Sequence, residues 1–133
     1  MLMRFFALAM MLTVSPAAFA AWQFLGATAD GTAYLIDPAS IKSKGQLVEM
    51  LTMQNLRTAR KVNGSEFRSA IGHTLYNCAD KTSATTVIHQ FSAERGAGKV
   101  VGSFKQKPKE IIWDAILPNT IMEKEWKVAC GVS

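Results

Sequence analysis

Phe67-Arg68-Ser69-Ala70-Ile71-Gly72-His73-Thr74-Leu75-Tyr76-Asn77-Cys78 is the stretch on which the fold turns. Successive side chains of an extended strand point to opposite faces. Phe67, Ile71 and Leu75 then share one face, and Ala70, Gly72, Tyr76 and Cys78 share the other. The second face is small in its first half, as a closely packed neighbour requires. Cys78 closes the stretch. The only other cysteine, Cys130, ends a predicted C-terminal helix. Exported proteins with an even cysteine count are as a rule oxidised. One bridge would then fasten the helix to the middle of a sheet.

Export is read from residues 1–20. Arg4 supplies a positive start, the run from Phe5 to Leu12 an apolar core, Pro16 a break, and Ala18-Phe19-Ala20 a small-x-small cleavage site. The apolar run is too short to cross about 30 Å of hydrocarbon. The expectation is a cleaved signal over 1–20 and a single domain over 21–133. Position 21 is alanine, so no lipid-acceptor cysteine follows the signal. The protein is therefore expected in the periplasm or secreted, and not spanning a membrane. Its formal net charge of +5 favours anionic surfaces such as lipid headgroups, sulphated glycans and acidic proteins. The same charge also serves plain solubility. Nucleic acid lies in the wrong compartment.

Outward from the opening stretch, strands and turns alternate. Trp22 to Leu25 is strand-like, Asp30-Gly31 is a hairpin turn signal, and residues 32–36 read as the return strand. Asp37-Pro38 should stop it, with Ser40-Ile41 in a short turn, because proline cannot continue a ladder. Residues 46–55 form the next strand. Arg57, Arg60 and Lys61, followed by Asn63-Gly64-Ser65, mark an exposed basic loop. Residues 85–91 and 99–105 are further strands, separated by a turn at 94–98. Lys105, Lys107 and Lys109 around Pro108 form a second basic stretch.

The helix begins at Thr120, whose spacing to Glu123 is that of a capping box. Ile121, Met122, Trp126 and Ala129 lie along one side, and Gly131 follows the last turn. The fold class is therefore α+β: a six-stranded antiparallel sheet with one C-terminal helix on one face, tied by a Cys78–Cys130 disulfide. Several strands are apolar on both faces. Either the sheet curls around the helix, or its outer face pairs with a second copy in a homodimer.

No chemistry assembles from the spacing. His73 and His89 with Asp80 make an incomplete metal ligand set. Ser69 and His73 stand four residues apart on a strand, about 13 Å, too far for a nucleophile and its base. There is no G-x-S-x-G elbow, no phosphate loop and no carboxylate pair. The reading is a non-enzymatic protein without catalytic residues, metal or cofactor. Trp22, Trp113 and Trp126 are expected to pack in the core or cap it. The candidate binding surface is Arg57, Arg60, Lys61, Lys105, Lys107 and Lys109.

Taken together, Trp22, Tyr34-Leu35-Ile36-Asp37, Ser40-Ile41, Gly45, Ser69, Tyr76, Cys78, Gly102, Trp113, Ile116-Leu117-Pro118 and Cys130 form an ordered pattern. It resembles the surface-adhesin protein E-like domain family of Gram-negative bacteria. The resemblance implies an antiparallel sheet on a disulfide-tied C-terminal helix, and a non-enzymatic role. It implies a host extracellular-matrix protein as a partner; an envelope protein is the other partner that an exported binding module would meet. Only Cys78 and Cys130 carry over as named residues. A different class of function also fits a small, basic, disulfide-tied sheet protein. It is an inhibitor or accessory of an envelope or host hydrolase, presenting the loop 57–64 to a cleft.

Overall fold

Short polar turns between β-rich segments leave each strand beside its predecessor, and the structure is such a meander. The computed structural model describes residues 21–133; the signal reading falls on 1–20, outside the described residues. The strands are β1 (Gln23–Ala27), β2 (Ala33–Lys44), β3 (Leu47–Val62), β4 (Ser65–Asn77), β5 (Thr82–Phe91) and β6 (Val100–Lys105). They pair antiparallel in sequence order. A two-residue β7 (Asp114–Ala115), missed in the sequence, pairs with the start of β5. The helix α1 (Ile121–Cys130) follows.

Two strands run past the predicted stops. Asp37-Pro38 does not end β2: the strand continues to Lys44 through a break in register between Asp37 and Lys42. Ser40-Ile41 therefore lies in β2, not in a turn. The Ser40 hydroxyl donates to Asp37 O at 2.6 Å and accepts from Leu51 N at 2.8 Å. That side chain replaces the ladder bond that the proline bulge removes. Likewise, Arg57, Arg60 and Lys61 sit on β3 rather than in a loop. Arg60 pairs with Phe67 and Lys61 with Glu66, up to a two-residue turn at Asn63-Gly64. Both turn residues have positive φ, 50° and 76°, which suits asparagine and glycine.

The face of β4 that bears Tyr76 carries the main core. Ile36, Met50 and Tyr76 from the sheet pack with Ile116, Trp126 and Ala129. Each large side chain removed from water contributes about 1.5–3 kcal/mol. Trp126 also donates its indole N–H to Asn77 O at 3.2 Å. Cys78 and Cys130 are bonded, with Cα atoms 5.7 Å apart, and so fix the end of α1 to the end of β4. Two predicted packing residues are more than a third exposed instead: Trp113, at 37 %, precedes β7, and Met122, at 36 %, lies in the first turn of α1.

The opposite face carries a smaller apolar row, Leu35, Met53 and Ile71, aligned by strand register. A 3-10 turn at Glu94–Gly96 closes over it. Ser69 holds that turn, donating to Ala93 O at 2.7 Å and accepting from Gly96 N at 2.8 Å. The sheet curls into a half-barrel. A Cβ on Gly102 of β6 would stand 3.0 Å from Val62 of β3, with β4 and β5 lying between the two in the sheet order. Only a residue without a side chain allows that approach.

Candidate binding groove

Helix α1 is ten residues long and covers only one end of the inner face, where Ile36, Met50 and Tyr76 lie. The rest of that face is uncovered. By register it carries Gln54, Ala70 and Gln90 in one row, and Thr52, Gly72, Ile88 and Phe104 in the next. Three adjoining cavities, sharing Thr85, follow this floor.

The outermost cavity has a volume of about 680 Å³, with Ile88, Phe104, Lys105, Lys107, Glu110 and Ile112 among its walls. Phe104 is 56 % and Ile112 70 % exposed, so this end offers apolar surface to solvent. The middle cavity, about 180 Å³, lies beneath the curled end of the sheet between Arg60, Phe67, Gly72 and Gln90. The inner cavity, about 280 Å³, reaches Tyr34, Ser83, Asp114, Met122 and Glu125 beside the helix. A chain of threonine hydroxyls crosses the floor: Thr52 to Thr74 at 3.1 Å and Thr74 to Thr85 at 3.0 Å. A hydroxyl both donates and accepts, so each retains capacity for a ligand.

Glu125 is the residue that sequence reasoning missed. It is 3 % exposed and receives a hydrogen bond from the Tyr76 hydroxyl at 3.3 Å. Burial pushes its carboxyl up to about 7, against a smaller lowering by the Tyr76 bond. Burial, then the nearby Glu125 charge, pushes the Tyr76 phenol up as well. The signal was available: Glu125 stands four residues before Ala129, hence on the apolar side of the helix.

The six basic candidates divide. Arg60, Lys105 and Lys107 line the groove. Arg60 is also paired to Asp30 at 3.0 Å. Arg57 lies against the Gly31 turn, Lys61 is on the hairpin opposite Glu66, and Lys109 is in the 3-10 turn Pro108–Glu110. The stretch 57–64 offers strand and a tight turn rather than a protruding loop. His73, His89 and Asp80 have separate partners. His73 Nδ1 is 3.8 Å from Glu49, His89 bonds Ser103 at 2.9 Å, and Asp80 bonds Asn77 at 3.1 Å.

The family model described as Surface-adhesin protein E matches residues 22–131. The chain belongs to the surface-adhesin protein E family. Solved structures of Haemophilus influenzae protein E share its fold. One aligns at 18 % identity over 86 % of each chain, with a TM-score of 0.64. A second, from a non-typeable strain, aligns at 18 % identity over 89 % of this chain and 82 % of that one, with a TM-score of 0.60. A crystal form II structure gives 20 % identity, 74 % and 80 % coverage, and a TM-score of 0.59. No curated protein matches the chain.

Within this chain, the residues that carried the resemblance mostly build the fold. Ile36, Tyr76 and Ile116 are core, and Asp37 and Ser40 make the bulge. Ser69 clamps the 3-10 turn and Gly102 permits the curl. Tyr34 alone among them opens onto the groove. No helix among the described residues is long and apolar enough to cross a membrane.

Proposed function

We propose that residues 21–133 are an exported, non-enzymatic binding module of the adhesin type, and that the groove on the inner face receives an acidic segment of a partner protein. Membership of the surface-adhesin protein E family carries this reading. The groove supports it physically. Phe104 and Ile112 offer apolar contact, while Arg60, Lys105 and Lys107 supply positive charge. Glu110 and Asp114 share the outer wall, so charge alternates there and favours a patterned partner over a uniform polyanion. The partner is a host extracellular-matrix protein or an envelope protein, met in the periplasm or at the cell surface.

The test uses oxidised 21–133 with matrix proteins, envelope extract, heparin resin and anionic vesicles, at low and high salt. Saturable binding to one protein, weakened by the charge reversals R60E, K105E and K107E together, supports the proposal. Screening shortens from about 8 Å at 0.15 M salt to about 3 Å at 1 M, so that binding should fall with salt. Equal retention on heparin and vesicles, or indifference to the triple reversal, would contradict it. N-terminal sequencing of exported protein should begin at Ala21.

A further inference from the structure

We propose that the outer edge of β6 takes up an extended, acidic segment of a partner protein, which joins the sheet as a further strand beside the groove. This rests on the groove reading above and specifies how the segment is held: by backbone pairing to β6. The sheet path ends at β6, and among the described residues only β5 pairs with it. Gln106, just past the strand, donates its backbone N–H to Thr86 O of β5 at 2.8 Å. Backbone groups of alternate residues turn to opposite edges of a strand. Phe104 and Gly102 therefore face β5 as Gln106 does. Ser103 and Lys105 present their N–H and C=O groups to the open edge.

An edge of this kind is ordinarily blunted by proline, a bulge, charge or a covering element. β6 contains no proline, its register break is confined to Val100–Gly102, and Val100, Ser103, Phe104 and Lys105 are exposed. β1, at the other end of the sheet, is better guarded. It has five residues, a register break between Phe24 and Gly26, and Ile121 of α1 against Gly26.

The side chains decide the occupant. A strand added to β6 alternates its own side chains between the two faces. Residues beside Phe104 would face the groove, where Ile88 and Ile112 stand, and there apolar side chains fit. Residues between them would lie beside Ser103 and Lys105. Lys99 precedes β6, Lys105 ends it and Lys107 follows, so positive charge brackets the edge. An acidic residue at alternate positions meets that charge. A second copy of this chain does not. A two-fold pair of β6 strands centred on Gly102 would set Lys99 of each copy opposite Lys105 of the other, and directly opposed like charges are destabilising. Main-chain bonds then give affinity and the alternate side chains give specificity, as in other cases of strand addition.

The experiment is an NMR titration of oxidised 21–133 with a synthetic peptide of alternating glutamate and valine. The Ser103 and Lys105 amide protons should shift and become protected from exchange. Two further peptides carry N-methyl groups on every glutamate or on every valine. Only the set whose N–H groups face β6 matters for pairing, so one form should lose binding and the other keep it. Glutamate methylation blocks an antiparallel strand, and valine methylation a parallel one. S103P removes an outward N–H and should lower affinity about tenfold or more, the equivalent of one backbone bond. S103A keeps that N–H and should bind as the wild type does. Equal effects of the two methylations, or full affinity in a folded S103P protein, overturn the proposal. Shifts at Thr85 and Ile88 without protection of Ser103 and Lys105 overturn edge pairing and leave the groove reading standing. A peptide that moves neither set also overturns it, and the groove reading is then judged by the salt-dependent assay with R60E/K105E/K107E. Concentration-dependent protection of Ser103 and Lys105 without peptide would assign the edge to a second copy and overturn the proposal as well.

Discussion

Replacing Cys78 and Cys130 together by alanine should destabilise the domain by about 4 kcal/mol in the chain-entropy account of cross-links. The magnitude follows from the 52-residue separation that the bridge closes. The consequence is local before it is global. Helix α1 has ten residues, too few to persist alone in water. Without the bridge, Trp126, Ala129 and the Trp126–Asn77 hydrogen bond must hold it to the sheet. A domain of this size stands roughly 5–15 kcal/mol above its unfolded state, so the loss is a large share. In thermal unfolding followed by circular dichroism it should appear as a fall of roughly 15 °C. Amide exchange should show α1 opening before β3 and β4. A fall of less than about 3 °C, or protection lost first in the sheet, would refute the reasoning.

Ser69→Ala should cost about 1–2 kcal/mol, because Ala93 O and Gly96 N, in a part-buried turn, both lose the bond to the buried Ser69 hydroxyl. Urea unfolding and faster exchange at Gly96 would show it, and an unchanged midpoint would refute it. Stability should also fall as pH rises from about 4.5 to above 7. Glu125 has a folded pKa of about 7 against an ordinary 4.5, so the folded state binds the proton more tightly. The raised pKa favours the folded state below 4.5, and that contribution, about 3 kcal/mol, is gone above 7. Asp30, held down near 2 by hydrogen bonds from Thr28 and Thr32, acts in the opposite sense but only below about 4. E125Q should flatten the urea-midpoint profile between pH 5 and 8; a slope unchanged by E125Q would count against the account.

The meander, the helix and the bridge were legible because each rests on a local rule. Period-two alternation marks the strands, Thr120 accepts from Glu123 N at 3.2 Å as a cap should, and two cysteines leave one pairing. The capping carboxylate departs in detail: Glu123 accepts from Asn119 N rather than from the cap residue. What was not legible depends on partners distant in sequence. Pro38 stops a strand only where no neighbour replaces the lost ladder bond, and Ser40 replaces it. Arg57 to Lys61 looked like a loop because charged residues avoid cores. An edge-exposed two-stranded ribbon carries them equally well. The groove arises from a helix too short for the curled sheet beneath it, and no residue pattern announces such a mismatch. Arg60, Lys105 and Lys107 were named from charge alone, whereas the curl is what brings them to one groove.

The central claim is that a protein partner lies on the inner face, over the groove. Photo-cross-linking tests it directly, with p-benzoylphenylalanine placed at Phe104 in the groove or at Phe24 on β1, both exposed. With the partner captured in the binding assay, the account predicts a covalent adduct from position 104 and none from position 24. An adduct from position 24 alone would place the partner elsewhere and contradict it.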